Sequence, residues 1–122
     1  MPCCAAVDAG VSRLVWHDSK KLLKNRLTIP IADQLYRAAS NISPNISEGY
    51  SRGTGKDRAR FYEYALGSIR ECRDWYFKSR HVLSERVTEH RLELCTELIR
   101  LLLRIIPSER TTNQRPRATR NT

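Results

Sequence analysis

The sequence holds little that would bend a chain. Its 122 residues contain five glycines and five prolines, and residues 56 to 106 hold Gly67 alone among them. That shortage excludes a fold of many short strands and turns and predicts long helices. Apolar runs are also short. None approaches the ~20 residues a membrane-crossing helix needs, so no membrane partner is expected. The start, MPCCAAVDAG, lacks a basic stretch followed by an apolar run, so it does not read as a signal peptide. The expected location is therefore cytoplasmic and reducing. The four cysteines, Cys3, Cys4, Cys72 and Cys95, include no C-x-x-C pair, and their spacing to His17, His81 and His90 suggests no zinc site. Cys72 and Cys95 stand at helical spacing among apolar residues and predict buried free thiols. No metal or cofactor is expected.

What is present is basic charge. Lysine and arginine number 22 against 13 acids, for a formal charge of +9. Residues 108 to 122 hold four arginines and one acid, so the rest of the chain still carries +6. A field of this sign attracts polyanions by releasing their condensed counterions.

The periodicity predicts an all-α, up-and-down four-helix bundle over 11–107, between a disordered N-terminus (1–10) and a disordered basic tail (108–122). The first helix, 11–25, places Val11, Leu14, Val15, Leu22 and Leu23 on one face, with Trp16 at its edge, Ser12 as cap and Lys20, Lys21 and Lys24 outward. The second begins near Pro30 with Thr28 as cap. Its seam, Ala32, Leu35, Ala39, Ile42 and Ile46, runs through Pro44, which removes one helical hydrogen bond. This predicts a helix kinked at a proline, with a break before Pro44 as the alternative. The glycines of Ser51–Gly55 make a turn, and Thr54 or Gly55 caps the next helix.

The third helix has a heptad seam of Tyr62, Ala65, Ile69, Cys72, Tyr76, Ser79 and Leu83. Gly67 in its middle suggests a close helix crossing. The fourth, from about 87 to 106, confines its polar residues to Glu93, Thr96, Glu97, Arg100 and Arg104 and is stopped by Pro107. It is more apolar than one bundle core requires. Leu94, Leu98, Leu101, Leu103 and Ile105 are therefore candidates for burial against another subunit.

The motif NISPNISEGYSRGTGK, residues 41 to 56, tests three chemistries. Asn41-Ile42-Ser43 and Asn45-Ile46-Ser47 match the glycosylation triplet but fall in a helix without a secretion signal. A phosphate loop ending at Gly55-Lys56 would need glycine where Tyr50 stands and Ser or Thr where Asp57 stands. A di-metal bundle would need Glu-x-x-His pairs, which do not occur. No catalytic constellation emerges, so no enzyme activity is expected. Arg52, Lys56, Arg58 and Arg60 cluster around the turn. They read equally as a solvated bundle end or as a footprint for a phosphate backbone.

RAASNISPNISEGYSRG followed by RFYEYALGSIRE resembles the signature of a bacterial four-helix-bundle family. That family includes the 23S ribosomal RNA intervening-sequence proteins and the accessory variability determinant of diversity-generating retroelements. The matching pieces are Arg37-Ala38-Ala39, the element Asn41-Ile42-Ser43-Pro44-Asn45-Ile46-Ser47-Glu48-Gly49, Arg52, Phe61 and Ala65-Leu66-Gly67-Ser68 with Glu71, over roughly 13–106. The resemblance implies a bundle that assembles into a homopentamer with a positively charged surface and binds RNA or DNA, without catalysis. In retroelements it also implies a reverse-transcriptase partner. A protein–protein adaptor that binds no nucleic acid is the alternative. Pro44, Asn45, Glu48, Gly49, Gly67 and Ser68 are then structural signature residues. Asn45 is expected to bond backbone near the kink, and Glu48 to pair with an arginine such as Arg37 or Arg52, or with a neighbouring helix. Lys20, Lys21 and Lys24 join the turn residues as candidate nucleic-acid contacts.

Overall fold

The computed structural model describes residues 2–112, with side chains from residue 10 onward. Five helices follow one another: α1 (Pro2–Leu22), α2 (Ile29–Ser40), α3 (Ile42–Ser51), α4 (Gly55–Lys78) and α5 (Glu85–Thr112). A single residue, Asn41, separates α2 from α3, and its backbone stays right-handed (φ −94°, ψ −5°). The two therefore form one interrupted rod, and the chain is an up-and-down bundle of four rods. Interruption at Asn41 places Pro44 in the first turn of α3, where its missing N–H costs no helical bond. The seam survives it. Ala32, Leu35, Ala39 and Ile42 are buried and Ile46 packs against them.

Local chemistry sets the ends. The Thr54 hydroxyl accepts from the Asp57 N–H at 3.2 Å and caps α4 as expected. Ser84 Oγ accepts from the Val87 N–H at 3.2 Å and caps α5. Thr28 acts otherwise than expected. Its hydroxyl donates to the Leu22 carbonyl at 2.6 Å, closing the end of α1 in place of capping α2.

Every residue of the predicted α4 seam is buried, from Tyr62 to Leu83. The role foreseen for Gly67 is corrected: a Cβ there would meet nothing within 4 Å. The close approach is at Gly49, where a Cβ would lie 2.7 Å from the Tyr62 ring.

Two boundaries differ from the sequence reading. α1 starts at Pro2, not at 11, so Ser12 lies within it and residues 2–10 are helical, not disordered. α5 runs through Pro107 to Thr112. Tertiary ion pairs hold that last turn, Glu109 to Arg58 (2.8 Å) and Arg110 to Glu63, which the local sequence does not advertise. The expected disorder over 113–122 lies outside the described residues.

α5 packs on α4 but makes no close backbone approach to α1, α2 or α3. Its abundant apolar residues form two adjacent seams. Cys95, Ile99, Leu102 and Ile106 are buried, while Leu94 and Leu98 line a cavity of about 20 Å³ with Val11, Leu14 and Val15 of α1. Ile105 packs against the core. The excess of apolar residues in α5 thus serves mostly this chain. Of the five interface candidates, Leu101 and Leu103 are exposed, and helical spacing puts them on different flanks. Among the described residues no helix is long and apolar enough to cross a membrane.

Candidate nucleic-acid interface

The seven candidate cations do not converge. Lys20, Lys21 and Lys24 lie where α1 turns into α2. Arg52, Lys56, Arg58 and Arg60 lie where α3 turns into α4. These are opposite ends of the bundle, separated by the length of α4, about 36 Å for 24 residues.

The α3–α4 end is largely neutralised within the chain. Arg58 is fully buried. Its Nε donates to Glu109 Oε1 at 2.8 Å and its Nη1 to the Arg52 carbonyl at 3.1 Å. It is a core ion-pair residue and not a surface cation, which corrects its place among the phosphate contacts. Arg52 pairs with Glu48 at 3.5 Å, one of the partners expected for Glu48, and Arg60 pairs with Asp57 at 3.7 Å. Both guanidinium groups lie near the Phe61 ring, at 4.7 and 4.9 Å from its centroid. Such contacts hold the arginines against an aromatic ring. Lys56 is exposed and has no ion pair among the described residues. Asn45 Nδ2 donates to the Asn41 carbonyl at 2.8 Å, bonding backbone at the interruption as expected. Ser68 is half-buried, and Pro44 is exposed.

The α1–α2 end is different. Lys20, Lys21, Lys24 and Arg26 are exposed and make no ion pair among the described residues. The α4–α5 turn reaches the same end and adds Arg80 and Arg86, which likewise make no ion pair among the described residues. Arg80 stacks over Phe77 at 4.0 Å and donates to its carbonyl at 2.9 Å. Arg80 and Arg86 were missed by sequence reasoning because they meet the lysines only through the antiparallel arrangement, whereas Arg26 stands two residues from Lys24 and was legible there.

A buried network fixes this end. Asp18 is fully buried. Its Oδ2 accepts from Tyr76 Oη at 2.7 Å and from Arg91 Nε at 2.7 Å, and its Oδ1 accepts from Arg91 Nη2 at 3.2 Å. The network ties α1 to both α4 and α5 across a gap that backbones do not close. Hydrogen bonding to Asp18 holds the Arg91 pKa above its ordinary value. Burial, and then the hydrogen bond to Asp18, pushes the Tyr76 hydroxyl far above the usual phenol range. A signal was present in the sequence. Asp18 falls in the α1 seam with Val11, Val15 and Leu22 at four-three-four spacing, and an acid there requires a buried partner.

Burial alone pushes Cys95 up to about 11, a rise that Arg73 opposes, and burial with the neighbouring Cys95 pushes Cys72 up to about 12. Both are free thiols, as expected. Among the described residues no group of three or more His, Cys, Asp or Glu could hold a metal ion.

Comparison with known proteins matches this architecture. The chain superposes on the crystal structure of a protein with unknown function from the S23 ribosomal protein family of Bacteroides thetaiotaomicron. The TM-score is 0.75 at 19% identity, covering 84% of this chain and 97% of that one, so the likeness is one of fold. No curated protein matches. The family model described as 23S rRNA-intervening sequence protein matches residues 12–104, a span that takes in all four rods and the Pro44–Gly49 element. Since that match extends over most of the sequence, the chain belongs to the 23S rRNA-intervening sequence protein family.

Proposed function

We propose that this protein is a non-enzymatic, oligomeric bundle that binds RNA or DNA through the phosphate backbone. The observation that carries the reading is the concentration of unpaired cations at one end: Lys21, Lys24, Arg26, Arg80 and Arg86, with Lys20 beside them. A cation already matched by a carboxylate gains little from phosphate, whereas an unmatched one displaces condensed counterions. The α1–α2 end is therefore the phosphate-contacting surface, and the α3–α4 turn contributes Lys56 alone. Nothing in that surface provides a base-reading constellation, so recognition rests on backbone charge. Family membership supports a homo-oligomer, and the resemblance to ring-forming members favours a pentamer.

Fluorescence anisotropy with single- and double-stranded RNA and DNA tests the binding. The expected result is affinity that falls steeply with salt. Lys24→Ala and Arg26→Ala should each lower the slope of log K against log salt by about 0.7–0.9. Arg60→Ala should leave the slope nearly unchanged. No retention of any nucleic acid at low salt would refute the reading. It would favour a protein adaptor, such as one for a reverse transcriptase, whose affinity depends little on salt.

A further inference from the structure

An exposed apolar groove lies between α1 and α2. Trp16 (59% exposed) and Tyr36 meet edge to face at 5.9 Å across it. Leu23, Lys20, Ala32 and Asp33 complete a hollow of about 230 Å³. Among the described residues nothing covers it. A Trp–Tyr–Leu surface of this kind, with Lys20 on its rim and Asp33 already paired with Arg37, calls for an apolar and acidic partner.

The same chain offers one. On the outer flank of α5, Glu89, Glu93 and Glu97 recur at one-turn spacing. They are exposed and lack ion pairs among the described residues. Like charges four apart repel, so this row would gain from a cation brought by a partner. Leu92 lies beside it, exposed Leu103 follows on the same flank, and Phe77 of α4 is exposed across the groove. Arg100 closes one end of the row. The acidic flank is built by α4 and α5, and the apolar groove by α1 and α2, so one subunit can present both at once.

We propose that the α1–α2 groove of one copy receives the Glu89–Glu97 flank of α5 from the next. Trp16 and Leu23 pack on the apolar residues there, and Lys20 pairs with the glutamate row. The contact joins two different surfaces, so it is head-to-tail. Such a contact closes into a ring when its rotation permits. The inference rests on the oligomeric reading above and specifies the surfaces that make it.

The test uses two variants of the full chain, Trp16→Ala/Lys20→Ala and Glu89→Lys/Glu93→Lys, measured by light scattering with circular dichroism to confirm folding. Each variant alone should be a monomer at micromolar concentration. Mixed one to one, they should form a heterodimer and nothing larger, because one intact interface remains between them. Leu23→Asp and Leu103→Asp provide a second pair with the same expectation. An oligomeric wild type with both variants still fully assembled overturns this interface and leaves the oligomeric reading standing. A mixture with no dimer overturns the head-to-tail contact. A monomeric wild type overturns both.

Discussion

Replacing Asp18 with alanine tests how α1 is held. Asp18 is fully buried and accepts three hydrogen bonds, from Tyr76 Oη at 2.7 Å and from Arg91 at 2.7 and 3.2 Å. Its removal leaves a guanidinium on a residue 8% exposed without its counter-charge, and a buried phenol without an acceptor. Breaking a buried pair from one side costs about 3–5 kcal/mol. For a domain of this size that corresponds to a Tm lowered by roughly 10–20 °C. It is a large share of a typical stability of about 5–15 kcal/mol. The assay is urea unfolding followed by circular dichroism, at one fixed protein concentration because oligomerisation adds to apparent stability. If the single variant proves too unstable to purify, Asp18→Leu/Arg91→Met/Tyr76→Phe removes all partners together. It should recover most of the loss, because no charge or hydroxyl is left buried alone. Amide exchange should then localise the defect of Asp18→Ala to α1, which has no close backbone contact with α5. A cost below about 1 kcal/mol, the value of an exposed pair, would refute the assignment of Asp18 as the clamp.

Three other outcomes are expected. Gly49→Ala should destabilise by about 1–3 kcal/mol, since its Cβ would press on Tyr62, whereas Gly67→Ala should stabilise by up to about 1 kcal/mol through helix propensity; thermal melts distinguish them. Glu109→Ala should cost about 3–5 kcal/mol in urea unfolding by stranding the buried Arg58, while Arg110→Ala, at an exposed pair, should cost under about 1 kcal/mol. The thiols give a pH dependence. With Cys3 and Cys4 changed to serine, Cys72 and Cys95 should resist a thiol reagent at pH 8 and react once urea unfolds the chain. Their pKa values are raised in the folded state, so the stability they contribute is complete below about 9 and is lost as pH rises toward 11 and 12. Rapid labelling of the folded chain would contradict their burial.

How much of the site was legible varied with the range of the interaction. The α4 seam and the Thr54 cap could be read directly, because each depends on residues three or four apart. The Asn45 bond and the Glu48–Arg52 pair are also one turn apart and were anticipated. Arg58 shows the opposite case. In sequence it is one of four cations around a turn, and only the arrival of α5 with Glu109, 51 positions away, turns it into a buried pair. The same arrival carries α5 past Pro107. Gly67 misled because a glycine in a helix signals close packing only when another element is present to pack, and none is.

By itself the sequence determined the all-helical class, the number of rods, the free thiols and the excess of positive charge. Periodicity, spacing and composition are local quantities that need no knowledge of which helix lies beside which. The tertiary structure decided which cations remain unpaired, which apolar residues of α5 are covered, and that Asp18 binds Arg91 across 73 positions. Pairing and burial depend on distances between elements, and those are set only when the helices pack.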